Sequence, residues 1–347
     1  MEKIRTGLVG FGLSGQVFHA PFLHVHPGFE LTKVAERSQN LAKTAYPYIQ
    51  RVRSYEELLE DESIELVIIT TPNEFHYPMI KDALYKGKHV IVEKPFTIAS
   101  AEGYELQELA KERSLLLSVY HNRRWDGDFM TVQSIVNQEL LGNVHSYEAH
   151  FDRFETEVNS DQWREKAQPG AGIVYDLGSH LIDQALTLFG QPYEISADIW
   201  VQREGGHTDD AFSIRLHYPG LTAELKSGVL VREPGPRYLV HGSRGSFVKY
   251  GIDPQEGRLK LGALPTDLTG TEEEKEWGIL NTEMSGLHYK GRVETIPGQY
   301  MAYYDQFYKA VREGGDVPVT ADSAARVIKV IECAKMSAEE KRSVPFF

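Results

Sequence analysis

Residues 4–15 read IRTGLVGFGLSG, and this stretch decides the fold. Ile4–Gly10 is a short apolar run of the kind that forms a buried parallel strand. Directly behind it, Gly10-Phe11-Gly12-Leu13-Ser14-Gly15 completes a G-x-G-x-x-G before a helix. The three glycines permit a tight turn, close approach of backbone to a pyrophosphate, and helix-on-strand packing. The helix start offers unpaired N–H groups and the positive end of its dipole to phosphates. A lone motif of this kind is weak, and a Gly-rich turn in a non-binding domain is the alternative, so the context decides.

Working outward, Glu30–Glu36, Leu66–Thr70, His89–Glu93 and Leu115–Tyr120 read as further buried strands. Helices fall between them, one opened by a Ser54-Tyr55-Glu56-Glu57 capping box, others over Phe75–Lys86 and about Ala101–Arg113. This alternation predicts an α/β first domain, a Rossmann-type doubly wound parallel sheet over residues 1–121. Beyond Tyr120 the rhythm changes. Helices near Phe129–Leu141 and Leu177–Phe189 accompany longer alternating strands at Val144–Arg153, Glu194–Gln202, Ala211–Tyr218, Thr222–Val231, Arg237–Val240 and Ser246–Tyr250. Period-two alternation predicts an α+β domain over residues 122–347, built on an open, largely antiparallel sheet. Gly251–Gly298 reads as a long polar surface excursion, and helices near Tyr300–Glu313 and Asp322–Met336 close the chain.

Candidate binding groups cluster where parallel strands end. Glu36 follows Gly15 by 21 residues, a position that suits a carboxylate accepting both ribose hydroxyls of NAD. Arg37, with Ser38, is placed either to stack on adenine or to hold the 2′-phosphate of NADP. The carboxylate alone leans toward NAD. Thr70-Thr71-Pro72-Asn73, with His76, follows one strand, and Glu93-Lys94 follows another. A lysine leaving a buried strand beside a nicotinamide can stabilise a developing alkoxide or pass a proton. The bland alternative is a surface lysine paired with Glu93. In the second domain, Asp176 and His180 stand four residues apart at a helix start, where both can face one cleft. Against this, Asp176 is suited to a plain N-cap role, and His180 to a core position among Leu181, Ile182, Ala185 and Leu188. No third ligand accompanies them, so no metal is expected.

Bulk properties narrow the class. The 347 residues suit two domains, with 41% hydrophobic and 25% charged residues. The formal charge of −13 argues against nucleic-acid and anionic-membrane partners. The single cysteine, Cys333, excludes an intramolecular disulfide and reads as a core thiol. With no leader-like start and no long apolar run, a cytoplasmic location is expected.

GLVGFGLSG, TTPNEFHYPM, VEKPF, YHNRRWD and AGIVYDLGSHLIDQALTLFG occur in this order across nearly the whole chain. Together they resemble the glucose-fructose oxidoreductase/inositol dehydrogenase (Gfo/Idh/MocA) family. VFHAPFL, SVYHNRRWDGDF, FDRFE…WREK, YDLGSHLIDQ, RYLVHGSRGSFVKYG and IDPQE resemble its NADP-dependent scyllo-inositol dehydrogenase group. The resemblance implies a cis Lys94–Pro95 bond, Lys94 contacting cofactor and substrate, and His180 as acid/base with Asp176 beside it. It places Asn122-Arg123 beside the nicotinamide end and Trp163-Arg164 along the active site. Glu36 departs from the pattern, because NADP users of this group tend to carry small, hydroxylated or basic residues there. NAD or NADP therefore both stay open.

The expected activity is hydride transfer between NAD(P) and a secondary alcohol carbon of a cyclic polyol or sugar. His180 takes the hydroxyl proton and Lys94 stabilises the oxygen, while Asp176 orients Lys94 or His180 or receives a neighbouring hydroxyl, and Asn122, Arg153, Trp163 and Arg164 are the candidates for the remaining ones. An aldose or dihydrodiol dehydrogenase of the same fold is the nearest alternative. A non-catalytic NAD(P)-binding regulator is the alternative from another class, and retention of Lys94, Asp176 and His180 argues against it. An open sheet face leads to the expectation of a homodimer or homotetramer.

Overall fold

The computed structural model describes residues 2–159, 163–266 and 270–347. Its contacts divide the chain into two compact units, Met1–Asn122 with Gln255–Thr269 and Gln299–Ala325, and Arg123–Pro254 with Gly270–Gly298 and Arg326–Phe347. The units are therefore interleaved in sequence, where two consecutive stretches were expected.

The first unit carries strands β1 (Ile4–Val9), β2 (Phe29–Ala35), β3 (Gln50–Val52), β4 (Leu66–Ile69), β5 (His89–Glu93) and β6 (Leu117–Tyr120). They form one sheet in the order β3-β2-β1-β4-β5-β6, every pair parallel. Strand order reverses direction between β1 and β4, the crevice where doubly wound sheets collect ligands. Every residue of β4 is buried, as a strand covered on both faces must be. The crossovers run through α1 (Ala20–Val25), α2 (Leu41–Ala45), α3 (Tyr55–Leu59), α4 (His76–Tyr85) and α5 (Ser100–Glu112). At α3 the Ser54 hydroxyl accepts the Glu57 N–H at 3.1 Å, as its capping box predicts, but Glu57 reaches one residue further back, to the Arg53 N–H.

The second unit holds α6 (Gly127–Asn137), β7 (Val144–His150), α7 (Ser179–Phe189), β8 (Glu194–Trp200), β9 (Ala211–Tyr218), β10 (Leu221–Gly228), β11 (Tyr238–Gly242) and β12 (Gly245–Lys249). It also contains β13 (Gly278–Met284), β14 (Leu287–Val293) and β15 (Val344–Pro345). The nine strands lie in the order β14-β13-β12-β11-β7-β10-β9-β8-β15. Only β7 and β10 pair in parallel.

The supposed polar excursion Gly251–Gly298 is overturned, although its residues 267–269 lie outside the described set. It contains the short helix α8 (Gln255–Lys260) and the β13–β14 hairpin. Alternation survives in β13, where Gly278, Leu280 and Thr282 are buried and their neighbours exposed. By contrast β14 is exposed or half-exposed along its length, with Lys290 and Arg292 on a sheet edge, where charge blocks unwanted pairing. The two turn residues, Ser285 and Gly286, both have positive φ, which suits a tight hairpin.

The chain closes with α9 (Met301–Glu313) and α10 (Ala321–Glu340). Helix α9 belongs to the first unit, where Tyr303 and Tyr304 pack with Tyr120, His19 and Phe22. Cys333 is buried, and burial pushes its thiol pKa up, as a core thiol requires. Among the described residues, no helix is long and apolar enough to cross a membrane.

Candidate active site

The groups expected to act fall into two clusters, one in each unit. In the first, Gly10 leaves β1 with φ of 93° and packs against the Thr70 side chain at the end of β4. Thr70 Oγ1 donates to the Val9 carbonyl at 2.9 Å, tying the two strand ends at the reversal point. A Cβ on Gly15 would lie 2.6 Å from the Gly10 carbonyl oxygen, so only glycine fits there. Gly12 faces open space, with nothing within 4 Å of a built Cβ. Phe11 is buried edge-on to Tyr46, and Leu13 is exposed. The helix after the motif begins with a π turn, Gly15–His19, a wide turn often found at functional sites. A loop closed on itself by glycine and open at Gly12 is the cradle a dinucleotide pyrophosphate requires, so these residues fit NAD(P).

Gly12→Ala separates this role from folding. The added methyl meets no protein atom, so the melting temperature should stay within a few degrees of the parent. Coenzyme affinity, followed by quenching of protein fluorescence, should fall by about tenfold or more, because backbone must approach the pyrophosphate closely there. Unaltered affinity would show that the loop does not bind phosphate.

Glu93 joins the glycine loop to the lysine that follows it. Its carboxylate accepts from the Ser14 hydroxyl, from His19 Nε2 at 3.1 Å and from the Lys94 backbone N–H at 3.0 Å. Burial works against its charge, but hydrogen bonds from His19 and Ser14 and the His19 charge outweigh it, holding the carboxyl below its usual range. His19 in turn meets the Tyr304 hydroxyl at 2.9 Å. Glu93 thus holds the backbone of residue 94, and the Lys94 charge adds to what keeps its carboxyl ionised. The half-buried Lys94 precedes a cis peptide to Pro95, as the resemblance implies.

His76 has a different task from the cofactor contact expected of it. Its ring is buried, with Nδ1 2.9 Å from the Pro95 carbonyl and Nε2 2.9 Å from the Thr71 carbonyl. Burial lowers its pKa. It bolts the Thr71-Pro72-Asn73 loop to the segment after Lys94. Asn122 ends the first unit, buried, at the start of a 3-10 turn Asn122–Trp125.

Glu36 also differs from expectation. Its two carboxylate oxygens accept the N–H groups of Leu41 and Ala42, at 3.0 and 3.2 Å, and it is only 8% exposed. It caps α2, whose N-cap Asn40 makes no side-chain cap. Arg37 and Ser38 stand exposed beside it. Arg51 donates to the Glu36 and Arg37 carbonyls, both at 3.0 Å, fixing this loop and adding a second cation.

In the second unit, Asp176 lies within a π turn, Val174–Gly178, that runs into α7. It is not an N-cap. The N–H of Val174 is capped by Asp209 at 2.8 Å, and Gly172, with φ of 92°, makes room because a Cβ would collide with that carboxylate. Burial raises the Asp209 pKa. His180 sits in the first turn of α7, stacked on Phe151 with ring centroids 6.4 Å apart. Beyond β7 the chain stays extended, since Arg153 and Glu155 donate their N–H groups to Gly228 and Val229. Alternation along it puts Phe151, Arg153 and Glu155 on one side.

Arg153 Nη1 lies 3.8 Å from Asp176 Oδ2 and 3.7 Å from Glu155 Oε1, and Arg164 donates to Glu155 Oε2 at 2.9 Å. Trp163 and Arg164 belong to a 3-10 turn, Trp163–Glu165. Arg123 is turned inward, pairing with Asp126 at 3.1 Å and lying over one face of Phe151, while Arg237 lies over the same ring. The structure thus gives Arg123 a supporting task on the Phe151 ring that stacks on His180. Sequence reasoning passed over His19, Phe151, Glu155 and Asp209. Of these, only His19 and Phe151 with Glu155 stood in motifs singled out, VFHAPFL and FDRFE.

Family models match nearly the whole chain in two consecutive stretches. Residues 4–121 match the NAD-binding Rossmann fold model of the GFO_IDH_MocA oxidoreductase family, and residues 133–346 match its C-terminal alpha/beta domain. The chain belongs to the Gfo/Idh/MocA family. This Gfo/Idh/MocA protein is 40% identical over 345 residues to scyllo-inositol 2-dehydrogenase (NADP(+)) IolW of Bacillus subtilis, covering 99% of this chain and 96% of the relative. It is 41% identical to the uncharacterized oxidoreductase YdgJ of Escherichia coli, covering 99% of each. A solved structure of the oxidoreductase yvaA from Bacillus subtilis superposes with a TM-score of 0.96 at 40% identity, over 100% of this chain and 99% of that one. The protein is an NAD(P)-dependent oxidoreductase.

Proposed function

We propose that this oxidoreductase is an NADP-preferring dehydrogenase of a neutral cyclic polyol, an inositol being the nearest fit. The observation that carries the reading is the cluster of Asp176, His180 and Arg153 at one helix start, in a chain alike throughout its length to an inositol dehydrogenase. Such a cluster offers one proton acceptor among groups that bind several hydroxyls.

The nicotinamide of the coenzyme, when bound, supplies the acceptor or donor of the hydride. The protein's own groups handle the proton and the charge. The His180 imidazole takes the proton of the reacting hydroxyl, since imidazole is the usual acceptor near neutral pH. The Lys94 ammonium stabilises the negative charge that develops on that oxygen. Its backbone is held by Glu93, and Glu93 by His19 and Ser14. Asp176 accepts a neighbouring substrate hydroxyl, and Arg153, Trp163 and Arg164 face the remaining ones. Glycine-loop amides hold the pyrophosphate, with Ser14 fixed by Glu93.

The preference for NADP rests on Glu36. A carboxylate already bonded to two backbone N–H groups is not offered to a ribose, and Arg37, Ser38 and Arg51 leave the loop cationic beside it. Arg37→Ala is therefore expected to raise KM for NADP by about tenfold or more, the scale of one lost charge-assisted hydrogen bond, and to leave KM for NAD nearly unchanged. Glu36→Ala is expected to lower the melting temperature through the lost cap of α2, without reversing the preference. Steady-state kinetics with both coenzymes on a panel of inositols and aldoses tests the whole reading. A wild type that prefers NAD, or Glu36→Ala turning NAD preference into NADP preference, would return Glu36 to the ribose.

A further inference from the structure

We propose that Glu155 is a specificity-determining residue that keeps the substrate subsite beside Asp176 selective for neutral polyols and closed to anionic ones. This rests on the polyol reading above and deepens it, for that reading names a neutral substrate without saying what excludes a charged one and gives Glu155 no role.

The argument begins with the ionic ladder that runs through the second unit. At its interior end Arg203, 3% exposed in its side chain, pairs with Asp210 at 2.9 Å and with Glu165 at 2.8 Å. Arg164 Nε lies 3.9 Å from Glu165 and its Nη2 2.9 Å from Glu155. Glu155 turns its other oxygen to Arg153 at 3.7 Å, and Arg153 ends the ladder 3.8 Å from Asp176. Glu155 is the one carboxylate shared by the two arginines at the outer end. Arg153, Arg164 and Thr208 line a common recess with Asp209.

Charge decides what the outer end can bind. Glu155, shared by Arg153 and Arg164, and Asp176, beside Arg153, offset the charge of the two guanidiniums. An anionic substituent gains nothing there and meets two carboxylates. A hydroxyl fares better. The Arg153 guanidinium lies beyond hydrogen-bond reach of both its carboxylates, so charge holds it there while these two carboxylates take none of its N–H groups. Asp176 accepts from an adjacent hydroxyl, and the pair thereby recognises a vicinal diol. Removing the Glu155 charge leaves a net positive group of two guanidiniums. That is the usual recognition chemistry for a carboxylate or phosphate.

The test compares a hexuronate with its parent aldose, and an inositol monophosphate with the parent inositol, on the coenzyme-loaded enzyme. Binding is read by calorimetry and turnover by steady-state kinetics. In Glu155→Gln the affinity for each anion relative to its neutral parent should rise by about tenfold or more over the wild-type ratio. Adding Arg153→Gln should cancel most of that gain. Glu155→Ser, which removes the carboxylate altogether, should shift the ratio in the same direction and serves if the glutamine variant folds poorly. An unchanged ratio in folded Glu155→Gln and Glu155→Ser overturns the inference, and so does a gain that survives loss of Arg153. Turnover of neutral polyols by the wild type with an unmoved ratio sinks this inference alone. A shifted ratio in an enzyme that turns over no polyol sinks the polyol reading alone.

Discussion

His180→Asn is expected to lower turnover by about 10²–10⁴, far more than any fall in the folded fraction, because it removes the group proposed to take the hydroxyl proton. The imidazole is buried in the first turn of α7 and stacks on Phe151, whose other contacts are the guanidiniums of Arg123 and Arg237. Asparagine keeps a polar side chain there, so the melting temperature should drop by a few degrees at most. A histidine that serves only the core gives the opposite pattern, with stability lost and activity tracking the folded fraction. Asp176→Asn refines the same test. The structure removes the N-cap explanation, since Asp209 caps the turn and Asp176 lies inside it. Loss of its charge should therefore reduce turnover in a fully folded protein. A silent variant would end the case for that carboxylate.

Lys94→Ala should lower turnover by about 10² or more, the usual scale for a positioned acid/base or oxyanion group, with coenzyme binding largely retained. Its backbone N–H is held by Glu93, which the glycine loop and His19 fix in turn, so truncating the side chain leaves the cradle intact. Near wild-type turnover would remove Lys94 from the mechanism. Coenzyme affinity should be measured on the same preparation, because a collapse of binding would give Lys94 a different task.

Much of the first unit was legible because its signals are local. Strands such as Leu66–Ile69 are continuous apolar runs, and the glycine spacing names the turn that follows β1. The second sheet was legible from β7 to β12 and missed at β13 and β14, a hairpin whose outer strand is exposed at the sheet edge and whose polar residues hid it in the stretch read as a surface excursion. The candidate catalytic residues Lys94, Asp176 and His180 stood in short motifs, so they could be nominated from sequence. What surrounds them was not, because those partnerships join distant residues: His19 with Glu93, Asp209 with Val174, Arg51 with the Glu36 carbonyl. Glu36 is the instructive case. Its distance from the glycine loop is right for a ribose contact, but spacing cannot register that two N–H groups at the start of α2 compete for the same carboxylate.

The most direct test of hydride transfer from a polyol carbon is to supply neutral inositols deuterated at their ring carbons, with NADP, to the wild-type enzyme. The account predicts reduced coenzyme carrying one deuterium on its nicotinamide ring, formed more slowly with NAD and lost in both His180→Asn and Lys94→Ala. Coenzyme that binds but stays oxidised with every inositol and aldose supplied would contradict it.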